Sequence, residues 1–152
     1  TIRAVTEFAE HELITEYCGK VQLEKTTGRS QQFDFSLGYD AVRDDGKKRP
    51  LVISAFKMGN EARFISHSCE PNAYFQTTVI ERDALCTNRG AVHALRPIAG
   101  GEEITLDYFD GKGLNDFTID FSAMFPESGC ACNSPRCRFT PEAFKFYKRG
   151  LK

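Results

Sequence analysis

The sequence lacks the features that mark membrane, nucleic-acid-binding and secreted proteins. No stretch approaches the run of about 18 apolar residues that crosses a bilayer, and none resembles a signal peptide. The formal net charge is −1 and the pI is about 6.3, so there is no overall basic surplus for phosphate contacts. We therefore expect an intracellular protein with no membrane association and no direct sequence-specific DNA binding.

Repetition and strand–helix alternation are missing as well. The chain shows no internal repeat, no low-complexity tract and no alternation typical of a doubly wound sheet. Its 152 residues are enough for one domain with a substantial core. The first residue is Thr1 rather than methionine, which predicts that the sequence is part of a longer protein.

Short strand patterns dominate the chain. Residues 33–37 (FDFSL) alternate with period two, which predicts a half-buried strand. Gly19 ends an early strand-like run or allows a close backbone approach. Thr140 and Pro141 are typical of a helix start. The fold class is predicted to be mainly β, with further strands within residues 1–23, 51–53, 73–80, 91–95 and 103–106 and a hairpin tip within 40–50.

One stretch concentrates chemically active side chains. Residues 59–72 (GNEARFISHSCEPN) show no helical or alternating hydrophobic period and end in Pro-Asn, a turn sequence, which favours a functional loop. We expect residues 101–108 and 130–137 to meet this loop. His67 by itself fits either a structural or a catalytic role. Tyr108 fits either a core residue with its hydroxyl at the rim or a functional one.

The cysteines are unevenly distributed. Three of the six lie within eight residues as C-x-C-x4-C, and a structural zinc takes four ligands in a tetrahedron. Cys69, in the central loop, is the best-placed fourth ligand. The alternatives are three free thiols in a surface turn, or a disulfide. Cys18 and Cys86 lie in strand-like context and are expected to be buried thiols. The predicted zinc ligands are Cys69, Cys130, Cys132 and Cys137.

Four motifs resemble those of SET-domain lysine methyltransferases. Residues 63–72 (RFISHSCEPN) are similar to the family pattern RFINHSC-x-PN, and residues 16–20 (EYCGK) to EYxGE. Residues 103–108 (EITLDY) are similar to E-[IL]-T-x-DY, and the cysteine cluster to the post-SET pattern CxCxxxxC. The motifs occur in the family order from about residue 3 to residue 139.

The resemblance implies a SET-domain fold of small curved β-sheets with a knot-like active site. Residues 1–110 would form this domain, and residues 111–152 its C-terminal flank and a post-SET zinc segment. The cofactor would be S-adenosylmethionine, and the zinc would be structural. Tyr108 would be the catalytic tyrosine and Tyr17 its companion. The cofactor contacts implied are Arg63, Ser66, His67, Phe33 and Phe139.

The implied function is histone-lysine N-methylation in nuclear chromatin. The substrate would be the histone H3 tail or a nucleosome, with a chromatin complex as a further partner. Residues 57–63 are most similar to the branch that methylates the H3 tail near the nucleosome core; other H3 lysines or a non-histone protein remain open. Two other interpretations are an inactive SET-like binding module of a chromatin complex and a structural, zinc-stapled β domain.

The sequence also departs from the family pattern. Ser66 replaces the usual asparagine, which implies a weaker or water-mediated cofactor contact. Leu106 stands where a phenylalanine or tyrosine commonly limits methylation, which predicts that di- or trimethylation is allowed. The family's glycine-rich cofactor turn would fall just before Ile2, outside this sequence. Five acids in residues 107–127 would help to line a groove for a basic peptide, or would form a solvated acidic loop.

Overall fold

β-Strands are the main secondary structure in the described part of the chain. The computed structural model describes residues 1–24, 33–42, 44–82, 85–111, 125 and 129–143. In chain order the elements are β1 (Leu13–Tyr17), β2 (Lys20–Leu23), β3 (Asp34–Val42), β4 (Lys48–Ser54), a 3₁₀ helix (Glu61–Phe64), β5 (Ser66–His67), β6 (Ala73–Arg82), β7 (Leu85–Ala94) and β8 (Thr105–Leu106). The prediction of a mainly β fold is confirmed.

These strands form three small sheets. Two of them are antiparallel, with the strand orders β1-β7-β6 and β2-β4-β3. The third is a parallel pair in which β5 lies beside β8, with Ser66 opposite Thr105 and His67 opposite Leu106. Because parallel neighbours need a long crossover, the chain completes the β6–β7 hairpin before β8 returns to β5. This return brings the central loop beside residues 105–108.

The turns follow the chemistry of the sequence. The predicted hairpin tip joins β3 to β4, and Gly46 there has a φ of 75°, a conformation that favours glycine. Gly19, between β1 and β2, lies against β4. A Cβ atom at this position would be 2.6 Å from the carbonyl oxygen of Ser54. The close backbone approach predicted for Gly19 is confirmed.

Some element boundaries differ from the prediction. β7 begins at Leu85 rather than residue 91, because backbone pairing with β6 carries the polar residues 87–89 into the strand. Cys18 is exposed rather than buried. It follows the buried Tyr17, and successive side chains of an extended chain point to opposite sides. The side chain of Cys86 lies outside what the structure describes.

The helical part of the described chain is short. At the C-terminal side, residues 141–143 are helical, and the amide of Ala143 donates to Oγ1 of Thr140 at 3.2 Å, which confirms the predicted helix start. The rest of that helix lies outside the described residues. Among the described residues, no helix has the length and apolar character needed to span a membrane.

The core is divided into two parts. The larger one packs the three sheets together through fully or almost fully buried side chains such as Leu37, Val92, Ile98 and Leu106. The smaller one is formed by Phe109 and Phe139, with Tyr108 and three cysteines packed against it. Tyr108 touches both parts. The candidate site therefore lies where the two cores join.

Candidate active site

The three stretches predicted to meet do lie together. The amide of Ser68 donates to the carbonyl oxygen of Leu106 at 2.9 Å, which extends the pairing of β5 with β8. The Sγ atoms of Cys69 and Cys137 are 3.9 Å apart, so the C-terminal cysteines reach the central loop. The site is thus built from segments far apart in sequence.

Tyr108 is held at both ends. Its hydroxyl donates to the carbonyl oxygen of Ile65, and its backbone amide donates to Nδ1 of His67 at 3.2 Å. Burial raises the pKa of Tyr108 to about 12. Its hydroxyl therefore stays protonated at neutral pH and can act as a hydrogen-bond donor.

Tyr17 belongs to the same group of aromatic side chains as Tyr108, because both rings contact Phe35. It is 4% exposed, and its hydroxyl donates to the carbonyl oxygen of Phe33 at 2.9 Å. Burial, followed by the negative potential of Tyr108 and Asp34, raises the pKa of Tyr17 well above its ordinary value. The two tyrosines predicted as a pair thus lie in one group, Tyr17 buried and Tyr108 half-buried.

Phe35 and Phe75 complete this aromatic group, and the sequence analysis did not assign either of them to the site. The Phe35 ring is 4.8 Å from that of Tyr17 and 6.4 Å from that of Tyr108, both edge-on, and it stacks on Phe75 at 4.4 Å. The alternation of residues 33–37 could have identified Phe35, because it shares a strand face with the predicted Phe33. We call Tyr17, Phe35, Phe75 and Tyr108 the aromatic cage.

A cavity of about 830 Å³ opens beside the cage. Phe35, Phe75 and Tyr108 line it on one side, and several carboxylates lie around it. Such a combination of aromatic faces and negative charge is suited to a cationic side chain. The acidic residues that line the cavity are Glu24, Asp34, Asp107 and Asp110.

Arg63 and Phe33, both predicted cofactor residues, are in contact. The Arg63 guanidinium lies 5.1 Å from the centre of the Phe33 ring and 5.4 Å from that of Phe64. One of its nitrogens also donates to the carbonyl oxygen of Phe56 at 2.9 Å. Phe64 is 59% exposed, so this aromatic–guanidinium surface is open to solvent.

Ser66 and His67, predicted cofactor residues as well, form β5. The His67 side chain is 5% exposed and is surrounded by the rings of Tyr108, Phe109 and Phe139 at 5.1–5.7 Å. Burial lowers the pKa of His67 to about 4, although the nearby Asp107 favours the charged form. At neutral pH the imidazole is therefore uncharged, and its Nδ1 can accept the Tyr108 amide.

Phe139 is fully buried at the centre of the smaller core. Its ring centre is 5.0 Å from those of Phe109 and Phe125, and the Arg138 guanidinium lies over it at 5.3 Å. The predicted contact between Phe139 and the cofactor stays a prediction. The position of Phe139 next to His67 does bring it to the central loop.

The four predicted zinc ligands converge. The Sγ atoms of Cys69, Cys130, Cys132 and Cys137 all lie within 4.8 Å of one another, and none of these cysteines is in a disulfide. A tetrahedral zinc with Zn–S bonds of about 2.3 Å requires sulfurs about 3.8 Å apart. The amide of Arg138 donates to Sγ of Cys69 at 3.4 Å, a contact common around zinc thiolates. The donor set and its spacing fit zinc.

Asp107 and Arg138 form an ion pair that the sequence analysis did not predict. One guanidinium nitrogen is 2.7 Å from Oδ1 of Asp107. Because Arg138 balances its charge, Asp107 contributes less to an acidic groove than the sequence indicates. Asp110 is exposed at the cavity and fits that hypothesis better. The other acids invoked for the groove, Asp116, Asp120 and Glu127, lie outside the described residues.

A mainly β domain with two tyrosines in one aromatic cage and four converging cysteines defines a class of small-sheet proteins with a candidate metal centre. The SET domain family matches residues 1–109, and the chain belongs to this family. The predicted family and fold are therefore confirmed.

Three relatives illustrate the similarity. The chain is 31% identical to the histone-lysine N-methyltransferase SUV39H2 of Xenopus tropicalis over 144 residues. The matched region covers 90% of this chain and 35% of that protein. It is 35% identical over 130 residues to trithorax of Drosophila virilis, covering 84% of this chain and 3% of the relative. It is 33% identical over 142 residues to ash1 of Drosophila melanogaster, covering 90% of this chain and 6% of that relative. The chain thus spans about a third or less of these relatives.

Proposed function

We propose that this protein is an S-adenosylmethionine-dependent protein-lysine N-methyltransferase that acts on histones. The observation that carries the proposal is the Tyr108 hydroxyl, a half-buried neutral phenol that donates a hydrogen bond to the carbonyl oxygen of Ile65 within the aromatic cage. A lysine side chain entering the adjoining cavity would meet aromatic faces and polar oxygen atoms. The names of the relatives, all histone-lysine N-methyltransferases, support the same reaction.

The cage supplies what the reaction demands of a protein. A lysine amine must be neutral to act as a nucleophile, whereas its ordinary pKa is about 10.4. The exposed Asp110 at the cavity favours the approach of a cationic side chain. Within the cage, however, desolvation among Tyr17, Phe35 and Phe75 disfavours the ammonium form, so its proton is released to solvent. The tyrosine hydroxyls and the nearby carbonyl oxygens then orient the nitrogen. When bound, S-adenosylmethionine supplies a methyl group on a positively charged sulfur, which leaves as a thioether.

Each predicted site residue has a role in this proposal. Tyr108 is the catalytic tyrosine, and Tyr17 is its companion in the cage. Arg63 and Phe33, already in contact, would bind the cofactor. Ser66, His67 and Phe139 would complete the cofactor site from the central loop and the smaller core.

In this proposal the zinc is structural and marks the C-terminal segment as a separate part of the domain. The four cysteines would hold one ion that fastens the C-terminal segment to the central loop. We propose residues 1–110 as the SET domain and residues 111–152 as its C-terminal flank and post-SET zinc segment.

The substrate we propose is the histone H3 tail, free or in a nucleosome. Histone tails are basic, and the carboxylates around the cavity, especially the exposed Asp110, favour a cationic peptide. This assignment implies a nuclear, chromatin-associated protein, with a chromatin complex as a further partner. The H3 lysine near the nucleosome core is the first site to test.

A second candidate function is an inactive SET-like binding module of a chromatin complex. Ser66 in place of the family asparagine favours it, because a serine hydroxyl is shorter and offers one donor instead of an amide. The intact pair Tyr17 and Tyr108 argues against it. The two functions differ in turnover and not in the ability to bind the cofactor.

The decisive test is methyl transfer with radiolabelled S-adenosylmethionine. Recombinant octamers and nucleosomes would be incubated with the protein, with Tyr108→Phe and with Tyr74→Phe as the matched control. Tyr74 lines the same cavity but is not part of the aromatic cage, and its ring stacks on His93 at 5.6 Å, so the control removes a cavity hydroxyl outside the cage. We expect label on histone H3 with the protein and the control, and a loss of at least about 100-fold with Tyr108→Phe.

Other results would redirect the assignment. Cofactor binding by calorimetry with no label on any histone would support the binding module. Label on a histone other than H3 would keep the enzyme and refute the H3 assignment. Equal label with Tyr108→Phe would remove Tyr108 from the mechanism.

A further inference from the structure

We infer that Arg138 is a positioning residue that connects the four-cysteine centre to the catalytic Tyr108 through Asp107. The inference rests on the proposed function. Arg138 follows directly after the zinc ligand Cys137, and Asp107 directly precedes Tyr108. Their side chains meet at 2.7 Å, with 23% and 18% of their surfaces exposed. This ion pair joins segments that are 31 residues apart.

Asp107 shapes the turn that follows Tyr108. Its Oδ1 accepts the amide of Phe109 at 3.0 Å, and its Oδ2 accepts the amide of Gly111 at 2.8 Å. The amide of Tyr108 itself is bound by His67. The backbone is therefore fixed at Tyr108 and immediately after it, and this determines where the phenol ring enters the cage.

Arg138 is oriented by its place in the cysteine segment. Its backbone amide donates to Sγ of Cys69 at 3.4 Å, and its guanidinium lies over the Phe139 ring at 5.3 Å. The residues on either side are thus a zinc ligand and a fully buried phenylalanine. Fixing these neighbours fixes the direction of the Arg138 side chain toward Asp107.

The charge on Asp107 explains why an arginine is needed. His67 does not take this place, because its Nδ1 lies 3.8 Å from Oδ1 of Asp107 and already accepts the backbone amide of Tyr108. Without Arg138 this poorly exposed carboxylate gains by turning toward water, which would release the amides of Phe109 and Gly111. The turn would loosen and Tyr108 would move within the cage.

The cysteine segment offers a matched control. Arg136 approaches Oε1 of Glu70 at 3.5 Å, so it also connects this segment to the central loop. That pair lies at the surface, where the Arg136 side chain is 84% exposed, and its partner Glu70 belongs to the central loop rather than to the turn after Tyr108. Arg136→Gln therefore removes the same charge from the same segment without affecting the proposed connection.

The experiment compares Arg138→Gln, Arg138→Lys, Asp107→Asn and the double variant Arg138→Gln/Asp107→Asn with Arg136→Gln. Bound zinc, kcat and KM for an H3 peptide, and amide hydrogen exchange at residues 108–111 are measured for each. We expect Arg138→Gln to keep one zinc, to lower kcat by about 10- to 100-fold, and to leave KM nearly unchanged. Exchange at Phe109 and Gly111 should accelerate.

The remaining variants distinguish positioning from general destabilisation. Arg138→Lys should lose less kcat than Arg138→Gln because it keeps the charge, and the double variant should lose less than the two single effects combined. Loss of zinc in proportion to activity, strict additivity, or equal exchange in Arg138→Gln and Arg136→Gln would overturn the inference. If the unmodified protein methylates no histone, the proposed function fails, and the exchange comparison still decides the connection.

Discussion

Asn72 accepts a hydrogen bond from the backbone amide of Thr105 through its side-chain oxygen, at 2.8 Å. Its side-chain nitrogen donates to the carbonyl oxygen of Glu103 at 2.8 Å and to Oε1 of Glu102 at 2.9 Å. Asn72 is 3% exposed, and it closes the central loop against the segment that enters β8. The parallel pair β5–β8 therefore has a polar clamp at its side.

This clamp predicts the effect of Asn72→Ala. Truncation leaves the Thr105 amide and the Glu103 carbonyl group without their partner, which costs about 3 kcal/mol of unfolding free energy. Asn60→Ala is the control, because Asn60 makes two such bonds, to Glu16 and Cys18, at a less buried position. Urea unfolding would measure both. A smaller loss for Asn72→Ala than for Asn60→Ala would contradict the prediction.

Glu102 should make the stability depend on acidity. Hydrogen bonds from Arg96, Asn72 and the amide of Ala99 lower the pKa of Glu102 from 4.5 to about 2. Its stabilising contribution is present above the unfolded pKa and is lost as the pH falls from about 4.5 toward 2. Glu102→Gln should therefore be less stable than the unmodified protein near neutral pH and nearly equal to it near pH 2.

The measurement is the midpoint of chemical unfolding at several pH values. The neighbouring Glu103→Gln is the control for the loss of one negative charge. A stability difference between Glu102→Gln and the unmodified protein that stays constant from about pH 6 to pH 2 would argue against this role.

Zinc removal should destabilise the protein and reduce its activity. When the free zinc concentration is about 1,000 times the dissociation constant of the site, binding stabilises the folded state by about 4 kcal/mol. We expect one zinc per chain by metal analysis, and a lower thermal midpoint after chelation or in Cys132→Ser. Cys18→Ser, which changes an exposed thiol outside the cluster, should retain the metal. Full zinc content in Cys132→Ser would exclude this ligand.

Gly19 should not tolerate a side chain. In Gly19→Ala the new Cβ would be 2.6 Å from the Ser54 oxygen and 2.9 Å from Cγ2 of Ile53, so β2 and β4 would have to separate. We expect a loss of about 1–3 kcal/mol. Gly100→Ala is the matched control, because its nearest atom would be 3.7 Å away. Thermal unfolding that shows equal effects for the two variants would refute the explanation.

Leu106 should set how many methyl groups are added. It is 2% exposed on β8, two residues before Tyr108. A leucine has no hydroxyl to hold a water molecule beside the lysine, so we expect di- or trimethylated product by mass spectrometry. Leu106→Tyr should shift the product toward monomethyl-lysine. Only monomethylated product from the unmodified protein would exclude this role.

Local patterns allowed much of the fold to be predicted. The alternation in residues 33–37 identified β3, and the turn residues near Gly46 identified its hairpin with β4. The beginning of β7 was missed because residues 87–89 are polar, and their strand conformation depends on pairing with β6. Cys18 was assigned to the interior because it lies in a strand-like context, whereas alternation with the buried Tyr17 turns it outward.

The same contrast applies to the site. The spacing of Cys130, Cys132 and Cys137 predicted a metal centre, Cys69 was chosen as the fourth ligand for its place in the central loop, and the four sulfurs do converge. The ion pair of Asp107 with Arg138 could not be predicted in this way. Nothing in the local sequence of either residue indicates its partner, because side-chain pairing across 31 residues depends on how the chain returns.

The sequence by itself determined most of the strands, the C-terminal cysteine motif and the family, because these depend on residue types at short fixed spacings. Only the tertiary structure decided which distant groups share an environment. It brought Phe35 beside Tyr108, Asn72 beside Thr105, and Arg138 beside Asp107. The physical reason is that such contacts are non-local: the parallel pairing of β5 with β8, for example, joins segments separated in sequence by the β6–β7 hairpin.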